Sequence, residues 1–130
     1  MQYANAYQTS KRQALEILTK GEVVVRLFEE ASKQVKMGIF LTEKQDSAKA
    51  YNCIAKAQKV ISSLNLSLDM QYPISIELND IYGFIFEKLG EANAKQDVVL
   101  MRELWVLIND LKDSFKEADK LTNASKLKGL

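Results

Sequence analysis

The chain has 130 residues, 18 Lys/Arg against 17 Asp/Glu, one cysteine and no histidine. That length specifies one domain, and a net charge of +1 gives no global attraction to nucleic acid or to a membrane surface. Without histidine there is no catalytic triad, no histidine phosphorelay and no Glu-x-x-His metal pair, and one cysteine cannot make an intrachain disulfide framework.

The opening "MQYANAYQ" sets Tyr3 and Tyr7 four residues apart, on one face if the stretch is helical. Residues 1–18 are expected to form a short N-terminal segment packed across the domain, with "ALEIL" as a short helix or a crossing strap. In "TKGE", Thr19 and Glu22 have the spacing of a capping box. The first helix is then expected over about Lys20 to Phe40, with Val24, Phe28, Ala31, Val35 and Ile39 as its seam and Val23 and Leu27 widening it. "LTEKQ" reads as a turn, and Asp46 as the N-cap of a second helix. Its seam runs through Ala50, Cys53, Ile54, Ala57, Ile61, Leu64 and Leu68 and stops at "DMQYP". Pro73 suits the first turn of the third helix, whose seam is Ile74, Leu78, Ile81, Ile85, Leu89 and Ala92. "NAKQ" is the next turn and Asp97 the next cap. Met101, Leu104, Ile108, Leu111, Phe115 and Ala118 then step three-four-three-four-three along the fourth helix. Residues 19–120 thus read as an all-α, antiparallel up-down four-helix bundle, followed by a polar, mobile tail over 121–130.

Two of the helices carry more apolar surface than a bundle needs. A core-facing stripe is a little over 100° wide, whereas at 100° per residue "IYGFIF" spans roughly 200°. In "VVLMRELWVLI", Leu100 and Leu107 extend one flank of the seam, Val98 and Trp105 the other, and Val99 and Val106 point away from it. Such a face calls for a cover, either the tyrosine-bearing leader or a partner helix lying in a groove. The candidate binding residues are Ile76, Phe84, Phe86, Val99, Leu100, Trp105, Val106 and Leu107, with Tyr3 and Tyr7 capping the groove.

Catalytic chemistry finds little support. Cys53 sits in the second seam beside Ile54, where a thiol is inert filling. The isolated glycines match no phosphate-loop spacing. No metal and no cofactor are expected, and the single cysteine with no membrane-length apolar run fits a cytoplasmic, non-enzymatic binder.

Several stretches resemble one family, the flagellar export chaperones of the FliS type. "ANAYQ" is similar to the family's tyrosine-containing leader, "TKGEVVVRLFEEA" to its first helix, and "IAKAQKVISSLNLSLD" to its second. "LGEANAKQDVVLMRELWVLINDLKDSFKEA" resembles its last helical hairpin. The chain departs from the pattern at Lys20 for a helix-starting proline, Phe28 for tyrosine and Phe115 for tryptophan, and its "DMQYPI" loop is shorter.

The resemblance implies a cytoplasmic chaperone that binds the C-terminal segment of flagellin, prevents its premature polymerisation and delivers it to the flagellar type III export gate. A co-chaperone or regulator is a possible further partner. It also implies that the N-terminal segment overlies part of the client groove in the free protein. The alternative is a non-catalytic adaptor bundle that uses the same apolar face to dimerise. A monomer at micromolar concentration with that face bare would favour the chaperone.

Overall fold

The structure, a computed structural model, describes residues 23–128, and side-chain environments as far as Leu121. Those residues form four helices and no strand: α1 (Val23–Glu43), α2 (Ser47–Leu66), α3 (Pro73–Lys95) and α4 (Val98–Lys128). The helices form a ring in which α1 packs on α2 and α4, and α3 packs on α2 and, with the least contact of any neighbouring pair, on α4. This is the antiparallel bundle that the four-three periodicity calls for.

Two of the three connections use one device. At "KQD" over 44–46 and again over 95–97, the glutamine takes a left-handed conformation, with φ 61° at Gln45 and 51° at Gln96. The aspartate amide then donates five residues back, Asp46 to the Leu41 carbonyl and Asp97 to the Ala92 carbonyl, both at 2.9 Å. These bonds satisfy carbonyls that a helix end would otherwise leave bare. Each aspartate also caps the helix that follows. Asp46 Oδ1 accepts from the Lys49 amide at 3.4 Å, and Asp97 Oδ1 from the Leu100 amide at 3.1 Å. Between α2 and α3 the Ser67 hydroxyl donates to the Leu64 carbonyl, and Pro73 opens α3 from an extended Tyr72.

The core follows the expected seams, with informative exceptions. Phe28, Ala31, Val35, Ile54, Ala57, Ile61, Ile85, Leu89, Met101 and Ile108 are wholly buried. Phe28 and Phe115 lie with ring centroids 5.1 Å apart, and Phe28 and Tyr82 at 6.0 Å, so three helices meet in one aromatic cluster. On α3 the seam is rotated from its expected phase. Ser75 and Tyr82 are buried while their neighbours Ile74 and Ile81 are only half-buried. Burial pushes the Tyr82 phenol far above its ordinary pKa. Cys53 is half-buried rather than enclosed. α1 ends at Glu43 instead of Phe40, and α4 runs on through Lys128, past the point where a polar tail was expected. The capping box at Thr19 and Glu22 lies outside the described residues.

Gly38 brings α1 against α2. A Cβ there would stand 2.5 Å from Ile54 Cδ1 and 2.9 Å from its Cγ1, and Ile54 is fully buried with nowhere to swing. Gly38→Ala is expected to lower unfolding stability by about 1–3 kcal/mol, the cost of overpacking. Adding Ile54→Val should recover part of the loss, read by urea denaturation. Equal loss in both backgrounds would show that the two residues are uncoupled.

The two KQD joints give a second test. Asp46→Ala and Asp97→Ala should each cost about 1 kcal/mol. Gln45→Gly should gain roughly 1 kcal/mol by removing the left-handed strain of a residue with a Cβ. Thermal melts of the three single variants check the signs.

Candidate functional site

The joint between α3 and α4 differs in kind from the joint between α1 and α4. Across the latter, the Ser32 hydroxyl donates to Asn109 Oδ1 at 2.8 Å, Arg102 pairs with Glu43, and Lys116 pairs with Glu29 at 3.8 Å. α2 and α3 are also cross-linked, by Gln58 to the Phe86 carbonyl and Asn93 to the Tyr51 carbonyl, both at 3.0 Å. Among the described residues no side-chain hydrogen bond or ion pair joins α3 to α4. Ile81 on α3 and Leu100, Leu107 and Leu111 on α4 are half-buried apolar residues packed against the core.

The eight residues expected to form a binding face are split by the bundle. α4 turns Trp105, Asn109, Lys112 and Lys116 toward α1, fixed by the Ser32 bond, the Lys36 contact and the Lys116 pair. At about 100° per residue, Leu100 and Leu107 therefore lie on the opposite flank, toward α3. Val99 and Val106 stand next to them on the outer face of α4, both more than half exposed. On α3, Phe86 faces α2, because its carbonyl receives Gln58 and its ring lines a recess with Ile61, Ser62 and Asn65. Phe84 then falls on the α4 flank, 51% exposed, and Ile76 is turned outward on the α2 side. By rotation about the helix axes, Phe84, Val99, Leu100, Val106 and Leu107 lie on the α3–α4 side of the bundle. Ile76, Phe86 and Trp105 lie apart from them. Tyr3 and Tyr7 lie outside the described residues.

The assembled face is apolar with an acidic surround. Asp80 and Glu77 on α3 and Glu103 and Asp110 on α4 are exposed beside it. Further along α3, Lys88 and Lys95 hydrogen-bond Glu91 at 3.1 and 3.2 Å and hold its carboxyl below the ordinary range.

Sequence reading missed a second apolar concavity. An open groove of about 510 Å³ runs along α1 beside α4, lined by Met37 and Phe40, by Lys33, Lys36 and Lys112, and by Glu29 and Ser32. Trp105 belongs to this side. Lys36 Nζ stands 5.8 Å from its ring centroid, and its indole N–H is buried without an acceptor. Met37 and Phe40 are three residues apart and off the α1 seam, so their pairing was present in the periodicity, masked by lysines around them.

Among the described residues no group of three or more His, Cys, Asp or Glu side chains could hold a metal, and no helix is long and apolar enough to cross a membrane. What the arrangement can do is bind extended or helical apolar segments along its faces.

A relative from Bacillus subtilis (strain 168), the flagellar secretion chaperone FliS, is 25% identical over 118 residues, covering 91% of this chain and 89% of the relative. The family model described as flagellar protein FliS matches residues 3–122. The match takes in all but the ends of the chain, and the protein belongs to the FliS family.

Proposed function

We propose that this protein is a cytoplasmic flagellar export chaperone that holds the C-terminal segment of flagellin, keeps it from polymerising, and delivers it to the flagellar type III export apparatus. Membership of the FliS family and a relative named as a flagellar secretion chaperone support the general role. The observation that carries the finer reading is the α3–α4 joint, the neighbouring pair of helices with the least contact and, among the described residues, no polar cross-link. Beside it lie Phe84, Val99 and Val106, large apolar side chains each more than half exposed.

A client helix laid on that face would bury those side chains while the rest of the bundle keeps its packing. Val99 and Val106, like Leu100 and Leu107, are seven residues apart, so the apolar stripe runs along α4 for two turns. A segment with apolar residues at matching spacing would follow it. Few such anchors dominate an interface, and each typically costs about 1–3 kcal/mol when removed.

Phe84→Asp combined with Val106→Asp should leave the helical circular dichroism and melting temperature close to the parent, because both positions are exposed. Affinity for a flagellin C-terminal peptide should fall at least about tenfold by calorimetry. Trp105 emission should respond little to this client, since the indole faces the other flank of α4. Unchanged affinity in the folded double variant would overturn the placement.

Residues 1–10 enter this reading as a cover for the same face. A tethered segment competes at a local concentration on the order of millimolar even when its own affinity is weak. Deleting residues 1–10, or Tyr7→Ala, should therefore raise dye binding to apolar surface and speed client association in stopped-flow mixing. Slower or weaker association would mean that the tyrosines grip the client instead.

A further inference from the structure

The groove between α1 and α4 is chemically unlike the proposed client face, and its charges point to a different occupant. Its apolar lining is Met37 and Phe40, 44% and 53% exposed, beside the buried Ser32. Its rim is basic. Lys33 and Lys36 have no carboxylate partner among the described residues, and Lys112 is engaged mainly by the Asn109 side-chain oxygen at 3.1 Å. The one acid of the rim, Glu29, is paired with Lys116. An ammonium pair left unmatched beside exposed apolar side chains is a complementary surface for carboxylates flanking an apolar anchor.

We propose that this groove is a second docking site, for an amphipathic helical segment of another protein that carries acidic residues beside its apolar stripe. The apolar side chains of that segment would lie on Met37 and Phe40, and its carboxylates would meet Lys33, Lys36 and Lys112. The chain's own ends do not suit the groove by charge. Residues 1–22 carry three Lys/Arg against two Glu, and residues 122–130 carry two lysines and no acid. The proposal is independent of the flagellin reading, because it uses the opposite flank of α4.

Charge and apolar area have separate tasks here. Exposed ion pairs contribute little affinity each, so Met37 and Phe40 hold the segment while the lysines orient it and speed its encounter. Trp105 supplies the readout. Drawing the Lys36 ammonium off the indole ring onto a partner carboxylate changes the surroundings of the chain's sole tryptophan.

The experiment titrates the full chain with two synthetic helical peptides that share one leucine stripe at i, i+3, i+4, i+7 spacing. One bears glutamates beside the stripe and the other bears lysines. The glutamate peptide is expected to bind, shift Trp105 emission, and weaken as salt rises and the Debye length falls from about 10 Å at 0.1 M to about 3 Å at 1 M. Lys33→Glu with Lys36→Glu should weaken it about tenfold or more, and Lys33→Gln with Lys36→Gln serves if the reversed variant misfolds. The Phe84→Asp, Val106→Asp protein should bind it like the parent. Equal binding of both peptides, binding of neither, or indifference to the lysine changes would overturn the proposal. So would loss of binding in the Phe84, Val106 variant, which would place the peptide on the α3–α4 face. Sedimentation of the unliganded protein tests a second copy as occupant: self-association abolished by the lysine variants would replace the heterologous partner with the chain itself.

Discussion

Phe28 holds the bundle together across its diagonal. Neighbouring helices in a ring can each pack pairwise and still leave the centre poorly filled, but this ring reaches both Phe115 on α4 and Tyr82 on α3. Tilted aromatic contacts at these separations add to simple area burial. Full enclosure of Phe28 fixes how far α1 stands from the helix opposite, and Gly38 fixes how closely α1 meets α2. With those two distances set at points along α1, the other helices have little freedom of phase. The α3–α4 joint takes what remains, which is why it can be looser than the rest.

The repeated KQD joint explains how a chain with five glycines in 130 residues still turns sharply. A glycine usually ends a helix by entering the left-handed region without penalty. Here glutamine does so twice, and the cost is offset by the two amide bonds and the aspartate cap that follow. Gln96 adds more, since its side-chain amide donates to the Asn93 carbonyl at 2.9 Å. The joints are built from polar bonding rather than from backbone permissiveness.

This bears on how much could be read in advance. The helices, their order and most core positions are legible because four-three spacing reports directly on which side faces a bundle axis. The ends of α1 and α4 are not. A left-handed glutamine carries no signal as plain as glycine, and nothing from Ala118 to Lys128 forbids continued helix. The phase of α3 was misread because an apolar arc of roughly 200° accommodates either Ile81 or Tyr82 at its centre. The bundle decides through the bond from Asn93 to Tyr51 and the one from Gln58 to Phe86. The candidate site was half legible for a similar reason. A single helix shows two flanks beside its seam, but which flank meets which neighbour depends on the turn of the whole ring. Leu100 and Trp105 looked equivalent in sequence and lie on opposite sides of α4.

That division gives α4 two sides of opposite character. Toward α3 it presents valines and leucines with Glu103 and Asp110 nearby. Toward α1 it borders lysines, Met37 and Phe40. The α1 side is cross-linked by Ser32–Asn109 and two ion pairs, so a ligand there meets a formed surface and has little packing to displace. The α3 side lacks such links among the described residues, so a segment docked there would separate side chains at small cost. Segments bound on the two sides would share one helix without sharing contacts. Any coupling between them must then pass through a shift of α4 itself, and by linkage it would act equally in both directions. The polar bonds to α1 oppose such a shift, which favours nearly independent occupancy of the two sides.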